Sequence, residues 1–161
     1  MGGGAVPGNF SGFGSRLYAR IVDGLIALLY YLPGAVFIIA GFTQTSSSTD
    51  EFGNPTTKIS GAGVGLLVIG FVLVFVGLIL FLIKFCKMIA ATGQSWGMRT
   101  AGIRLIAADG RPLGVGTVFG RYLVGGLISG SLCYLGYLWM LWDPQKQTWH
   151  DKIFNTFSVK A

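Results

Sequence analysis

The chain has 161 residues, of which 52% are hydrophobic and only 11% charged, whereas a soluble domain carries about 25% charged residues. Its formal net charge is +6, but the basic residues flank apolar blocks, a placement that marks topology and argues against nucleic acid as the partner. These features describe an integral membrane protein of one domain's length.

The opening segment, "MGGGAVPGNFSGFG", is Gly-rich, and residues 1–14 read as a flexible N-terminus. Asn9-Phe10-Ser11 fits a glycosylation sequon, a three-residue pattern that chance often supplies. The first apolar block, Ile21–Phe42, is long enough to cross a ~30 Å hydrocarbon core. It reads as a span rather than a cleavable signal peptide, because the run is too long and lacks a small-x-small cleavage site. Pro33-Gly34 within it predicts a kink or local unwinding.

This block starts with a charged stripe, "SRLYARIVDG". On a helix Arg16 and Asp23, seven residues apart, lie within about 20° of each other. Arg20 is within reach of Asp23 one turn away, and Ala19 and Ala27 share the face. A carboxylate within a membrane helix costs roughly 2.5–3.5 kcal/mol on insertion scales, so the stripe must face protein and Asp23 requires a partner or a task. The expected partners are Arg20 and Arg16.

The loop "TQTSSSTDEFGNPTTK" carries Asp50 and Glu51 against Lys58 alone, while Lys84, Lys87, Arg99, Arg104, Arg111 and Arg121 follow the second block, Ile59–Ile83. The positive-inside rule therefore places the N-terminus and residues 84–113 in the cytoplasm and residues 43–58 outside. Gly61 and Gly65 form a GxxxG at the start of the second span, and "GTVFG" and "GLISG" repeat the spacing, which predicts close helix packing.

In the central loop, Trp96 and Met98 suit the membrane interface. "IRLIAADGRPL" alternates and turns at Asp109-Gly110, which allows a short cytoplasmic β-ribbon, and "TFSVK" at the C-terminus is strand-like and able to pair with it. The alternative is an irregular basic loop. The third apolar region, residues 115–142, is either one tilted span or a hairpin of short helices. Basic residues on both flanks and "GGLISGS" near its middle favour the hairpin and a cytoplasmic C-terminus. The fold class is thus an all-α membrane protein, two full transmembrane helices plus this third region, with residues 15–161 as a single domain.

A second polar cluster, "DPQKQTWHDK", joins Asp143, Lys146, Trp149, His150, Asp151 and Lys152. Asp151 is expected to accept a salt bridge from Arg121 or Arg16. One histidine with no HxxxH and no cysteine pair offers no metal site, and Cys86 and Cys133 read as buried free thiols. No cofactor is expected. "GVGTVFG" lacks both the dinucleotide spacing and the lysine of a phosphate loop, and no GxSxG occurs, which argues against an enzyme.

The motifs "RLYARIVDG", "GQSWGMRTAGIRLIAADGRPL", "FGRYL" and "QKQTWHDKIFNTFSV", in this order, resemble the RDD family of small bacterial membrane proteins, named for one arginine and two aspartates. The resemblance runs from about residue 12 to the end. By motif, Arg16 matches the arginine, and Asp23 and Asp151 match the aspartates. Gly93, Gln94, Gly97 and Gly102 match the central motif, Arg121 a recurrent arginine, and Phe157-Ser158 replaces a valine-rich ending. The resemblance implies two or more transmembrane helices and leaves the molecular function open, with transport of unidentified ligands, including ion exchange, suggested for the family.

Two functional readings follow. As an accessory or assembly subunit of a larger complex in the inner (plasma) membrane, the chain would use Arg16, Arg20, Asp23, Arg121, His150 and Asp151 as an ion-pair network. As a transport component for protons, cations or a small ligand, it would act through Asp23 as an oligomer, since so short a chain with no internal repeat hardly encloses a path alone. Its expected partners are the lipid bilayer and other membrane subunits or further copies of itself.

Overall fold

The computed structural model describes residues 9–109, 111–131 and 135–161. Two long helices dominate, α1 (Phe13–Thr43, 31 residues) and α2 (Gly61–Thr92, 32 residues), both long and apolar enough to cross a membrane. Between them stands an antiparallel hairpin of β1 (Thr45–Thr49) and β2 (Pro55–Ile59). Then follow α3 (Trp96–Thr100), β3 (Ile103–Ala107), α4 (Val115–Ser131), α5 (Leu135–Leu138), a 3-10 turn at Trp139–Leu141, α6 (Trp149–Ile153) and β4 (Thr156–Lys160). The chain forms two compact units, Leu25–Phe81 and the chain on either side of it.

In the Leu25–Phe81 unit, α1 runs through Pro33 without the local unwinding expected there. The α1–α2 contact is a glycine seam repeating every seven residues. A Cβ added at Gly34 would meet the Gly70 carbonyl at 2.6 Å, and one at Gly41 the Gly63 carbonyl at 2.9 Å. One at Gly77 would collide with the Tyr30 carbonyl. Ala27, one heptad before Gly34, is buried as well. A seven-residue repeat keeps one face of each helix on the other with a slight left-handed supercoil, and glycine lets the backbones touch. The expected Gly61/Gly65 spacing is not the contact: nothing lies within 4 Å of a Cβ at either position. Leu29 and Ile39, off the seam, are both 64% exposed, as side chains solvated by lipid would be. Gly70→Ala is therefore expected to weaken helix pairing by about 1–3 kcal/mol and Gly65→Ala to leave it unchanged, as measured by unfolding in detergent.

Polar residues all round the hairpin leave it exposed, and its turn is set locally. Asp50 Oδ1 accepts from the N–H groups of Phe52 (2.9 Å) and Asn54 (2.8 Å), and Gly53 takes the left-handed conformation (φ 82°).

In the other unit, β3 pairs antiparallel with β4, Leu105 opposite Ser158, so the ribbon joins the central loop to the C-terminus. The local turn expected at Asp109-Gly110 falls on a residue outside those described. From residue 9 onward the glycine-rich start is anchored. Phe10 bridges Val159, Lys160 N–H donates to the Asn9 carbonyl (2.9 Å), and Ser11 N–H to that of Ser158 (2.9 Å). This third backbone segment covers the free edge of β4 and buries Thr156 through Val159.

Within the third apolar region the described residues form α4, α5 and the 3-10 turn. Tyr137 and His150 lie against Gly125 of α4, and Phe154 against Gly120. Cys86 is buried and unpaired, whereas Cys133 and the Gly126/Gly130 spacing lie outside the residues whose side chains are described. Met98, expected at the membrane interface, is instead in the core with Ala19 and Ile103.

Candidate functional site

The central motif explains itself residue by residue. Gly93 ends α2 in the left-handed conformation (φ 71°), and a Cβ there would stand 2.7 Å from the Leu105 carbonyl. The Gln94 side chain donates to the Ile103 carbonyl (2.9 Å), fixing the start of β3. Ser95 caps α3, its hydroxyl accepting from Met98 N–H (3.1 Å). Gly97 packs so closely on α1 that a Cβ would overlap the Ala19 carbonyl. Gly102 closes the turn after α3 with φ 62°.

This close approach gives Asp23 its partners. Its Oδ2 accepts from Ser95 Oγ (2.5 Å) and its Oδ1 from Gly97 N–H (2.8 Å), both buried. A carboxylate at a helix N-terminus satisfies otherwise orphaned N–H groups. In a capping box this acid lies three residues after the cap; here Met98 occupies that place and α1 supplies the acid instead. The hydrogen bonds of Asp23 thus come from α3, while Arg20, one of the two partners expected from helix spacing, acts on it through its charge.

Each arginine has a different counterpart. Arg16 Nη1 donates to Asp151 Oδ2 (2.8 Å), its Nε to Ser11 Oγ (2.9 Å) and its Nη2 to the Lys146 carbonyl (2.7 Å). Arg20 stacks on Tyr122, its guanidinium carbon 4.4 Å from the ring centroid, and donates to Tyr137 Oη (2.9 Å). Arg121 on α4 donates through Nε (2.9 Å) and Nη2 (2.5 Å) to Asp151 Oδ1.

Asp151 is the hub. Three donors reach each oxygen: Arg16 Nη1, Thr148 N–H and Thr148 Oγ on Oδ2, and the two Arg121 nitrogens and Thr156 Oγ on Oδ1. Thr148 and Asp151 form the capping box of α6. Burial by itself would raise the Asp151 pKa, but Arg121 and Arg16 override it and hold the carboxyl well below the ordinary carboxylate range. Nearby, Asp143 pairs with Lys152 and accepts from Gln147 N–H (3.0 Å).

His150 follows from the same bonds. Because Thr148 Oγ donates to Asp151, it must accept from His150 Nε2–H (2.8 Å), which leaves Nδ1 unprotonated. That Nδ1 is buried without a partner. Burial, then the Arg121 charge, push the His150 pKa down to about 3. The unfolded chain therefore binds one proton more than the folded chain between pH 6.5 and 3, and stability falls as pH drops through that window. Wild-type protein is expected to lose about 2 kcal/mol between pH 7 and 5, and His150→Gln to show a flatter profile in detergent unfolding.

A cleft of about 470 Å³ adjoins this network, lined by Leu17, Arg20, Asp23, Tyr122, Tyr137 and His150 among others. Among the described residues no group of three or more histidines, cysteines and carboxylates could hold a metal ion.

The sequence profile of the RDD family matches residues 10–155, across α1, α2, the central motif and the Asp151 hub. The chain belongs to the RDD family. It is a membrane-type protein of that family, and Arg16, Asp23 and Asp151, the residues that resemble the family's motif, fall into two hydrogen-bond clusters. A proline-rich antigen homolog of Mycobacterium tuberculosis is 28% identical over 149 residues, 90% of this chain and 61% of that protein. The proline-rich antigen of Mycobacterium leprae is 37% identical over 67 residues, 41% of this chain and 26% of that protein. The chain thus spans less than two thirds of the curated relatives it matches. No solved structure matches it.

The role of Ser95 and Thr148 as caps escaped the reading of the sequence. "TWHD" is a capping-box pattern visible in one dimension, whereas the cap at Ser95 is completed by a residue 72 positions away.

Proposed function

We propose that this RDD chain is a non-catalytic accessory or assembly module of a larger complex in the inner membrane. The observation that carries this reading is that both buried aspartates are consumed by the fold: Asp23 accepts from the α3 cap Ser95 and from Gly97 N–H, and Asp151 ties Arg16, Arg121 and α6 together. A transport acid must exchange its partners for water or an ion, and six donors on one carboxylate oppose that exchange. Two helices long and apolar enough to cross a membrane, with large side chains such as Leu29 and Ile39 exposed, suit a subunit that packs against others.

In this reading the N-terminus, the central loop and the C-terminus are cytoplasmic, with the β1–β2 hairpin outside, because the basic residues Lys84, Lys87, Arg99, Arg104 and Arg111 follow α2 and Asp50 and Glu51 mark the hairpin. The cleft beside Asp23 favours a second reading, a transport component acting as an oligomer. Purification in mild detergent at native expression tests the first: a stoichiometric membrane partner is expected to co-purify. Recovery as a lone monomer, with no loss of any membrane complex on deletion, would overturn it.

A further inference from the structure

The cleft in the Arg20–Tyr137 region carries more positive charge than its own acids neutralise. Arg16, Arg20 and Arg121 line it, against Asp23 at its wall and Asp151 behind it, so three guanidiniums face two carboxylates. His150 adds no charge at neutral pH. The two carboxylates are also unevenly used. Asp151 serves Arg16 and Arg121 together, and Asp23 is taken by Ser95 and Gly97. Arg20 makes no ion pair among the described residues; it rests on the Tyr122 ring and the Tyr137 hydroxyl, both neutral.

A guanidinium held in place by aromatic rings, with Asp23 acting on it through its charge but no carboxylate within salt-bridge distance among the described residues, leaves its planar fork open to an anion such as phosphate. The rest of the wall is apolar: Phe13, Leu17, Leu138 and Met140. A volume of about 470 Å³ accommodates a small headgroup and the first carbons of a chain. Leu17 and Arg20 sit at the exposed start of α1, where the helix enters the hydrocarbon layer in the topology proposed above.

We propose that this cleft binds the headgroup of an acidic membrane phospholipid, its phosphate on Arg20 and its chain along Leu17 and Met140. Basic pockets at the cytoplasmic ends of membrane helices are suited to such headgroups. The site stands whether or not a partner subunit is found, since every group it uses lies in this chain.

The test is thermal unfolding of the full chain in neutral detergent, titrated separately with phosphatidylglycerol, phosphatidylcholine and inorganic phosphate. Phosphatidylglycerol at a hundredfold excess over its Kd is expected to raise Tm by roughly 5–10 °C, and the other two to do little. Arg20→Gln should reduce that shift to the phosphatidylcholine level. Leu17→Trp, at an exposed position, should do the same by filling the apolar wall without touching a charge. Equal shifts from the two lipids, or a full phosphatidylglycerol shift in both variants, would overturn the proposal. An equal shift from inorganic phosphate alone would assign the site to a small free anion and overturn the lipid.

Discussion

Asp151→Asn is expected to cost about 3–5 kcal/mol, because it leaves the Arg16 and Arg121 guanidiniums in a buried site without their shared counter-charge. Asparagine is nearly the same size and keeps one acceptor oxygen, so the loss reports charge rather than volume. Its amide would also point a donor at groups that are themselves donors. Arg121→Met added to Asp151→Asn should cost less than the sum of the two single losses, since the arginine is already unpaired in the single variant. Unfolding of the four proteins in detergent closes the cycle, and simple additivity would show that the pair is not coupled.

The second large effect is at Gly97. An alanine there would drive its methyl into the Ala19 carbonyl, a backbone atom that cannot rotate away, and separate α3 from α1. Separation also breaks the Gly97 N–H bond to Asp23 and leaves a buried carboxylate short of a donor. Overpacking and the lost bond together predict destabilisation of about 3 kcal/mol or more. Gly116→Ala, in an open position on α4, should be neutral or slightly stabilising. Parallel thermal unfolding of the two variants gives the comparison.

How much of this was legible beforehand divides along physical lines. The two long apolar helices were visible because an apolar run of that length has one stable solution in a bilayer, and the chain carries two of them. The residues of the polar layer were visible because charge in so apolar a sequence is rare. Their pairing was not. Helix spacing brings Arg16, Arg20 and Asp23 together on α1, but it cannot show that α3 presents its N-terminus to Asp23 or that Asp151 draws Arg16 away.

The glycine seam repeats every seven residues in both helices, yet 26 glycines offer so many spacings that only contact geometry identifies the working one. Likewise "TSSST" and "PTTKI" form a hairpin that hydrophobic alternation could not reveal, since neither strand has an apolar face. The Asp50–Asn54 turn was the one local signal there.

Asp23 decides between the two readings of function, and one preparation can measure both consequences. Purified wild-type protein and Asp23→Asn would be reconstituted in proteoliposomes under a proton or sodium gradient, with assembly and stability followed in the same samples. The structural role predicts no flux above protein-free vesicles for either protein, together with a less stable variant that accumulates poorly. A wild-type flux that disappears in Asp23→Asn while the variant stays folded and assembled would contradict it.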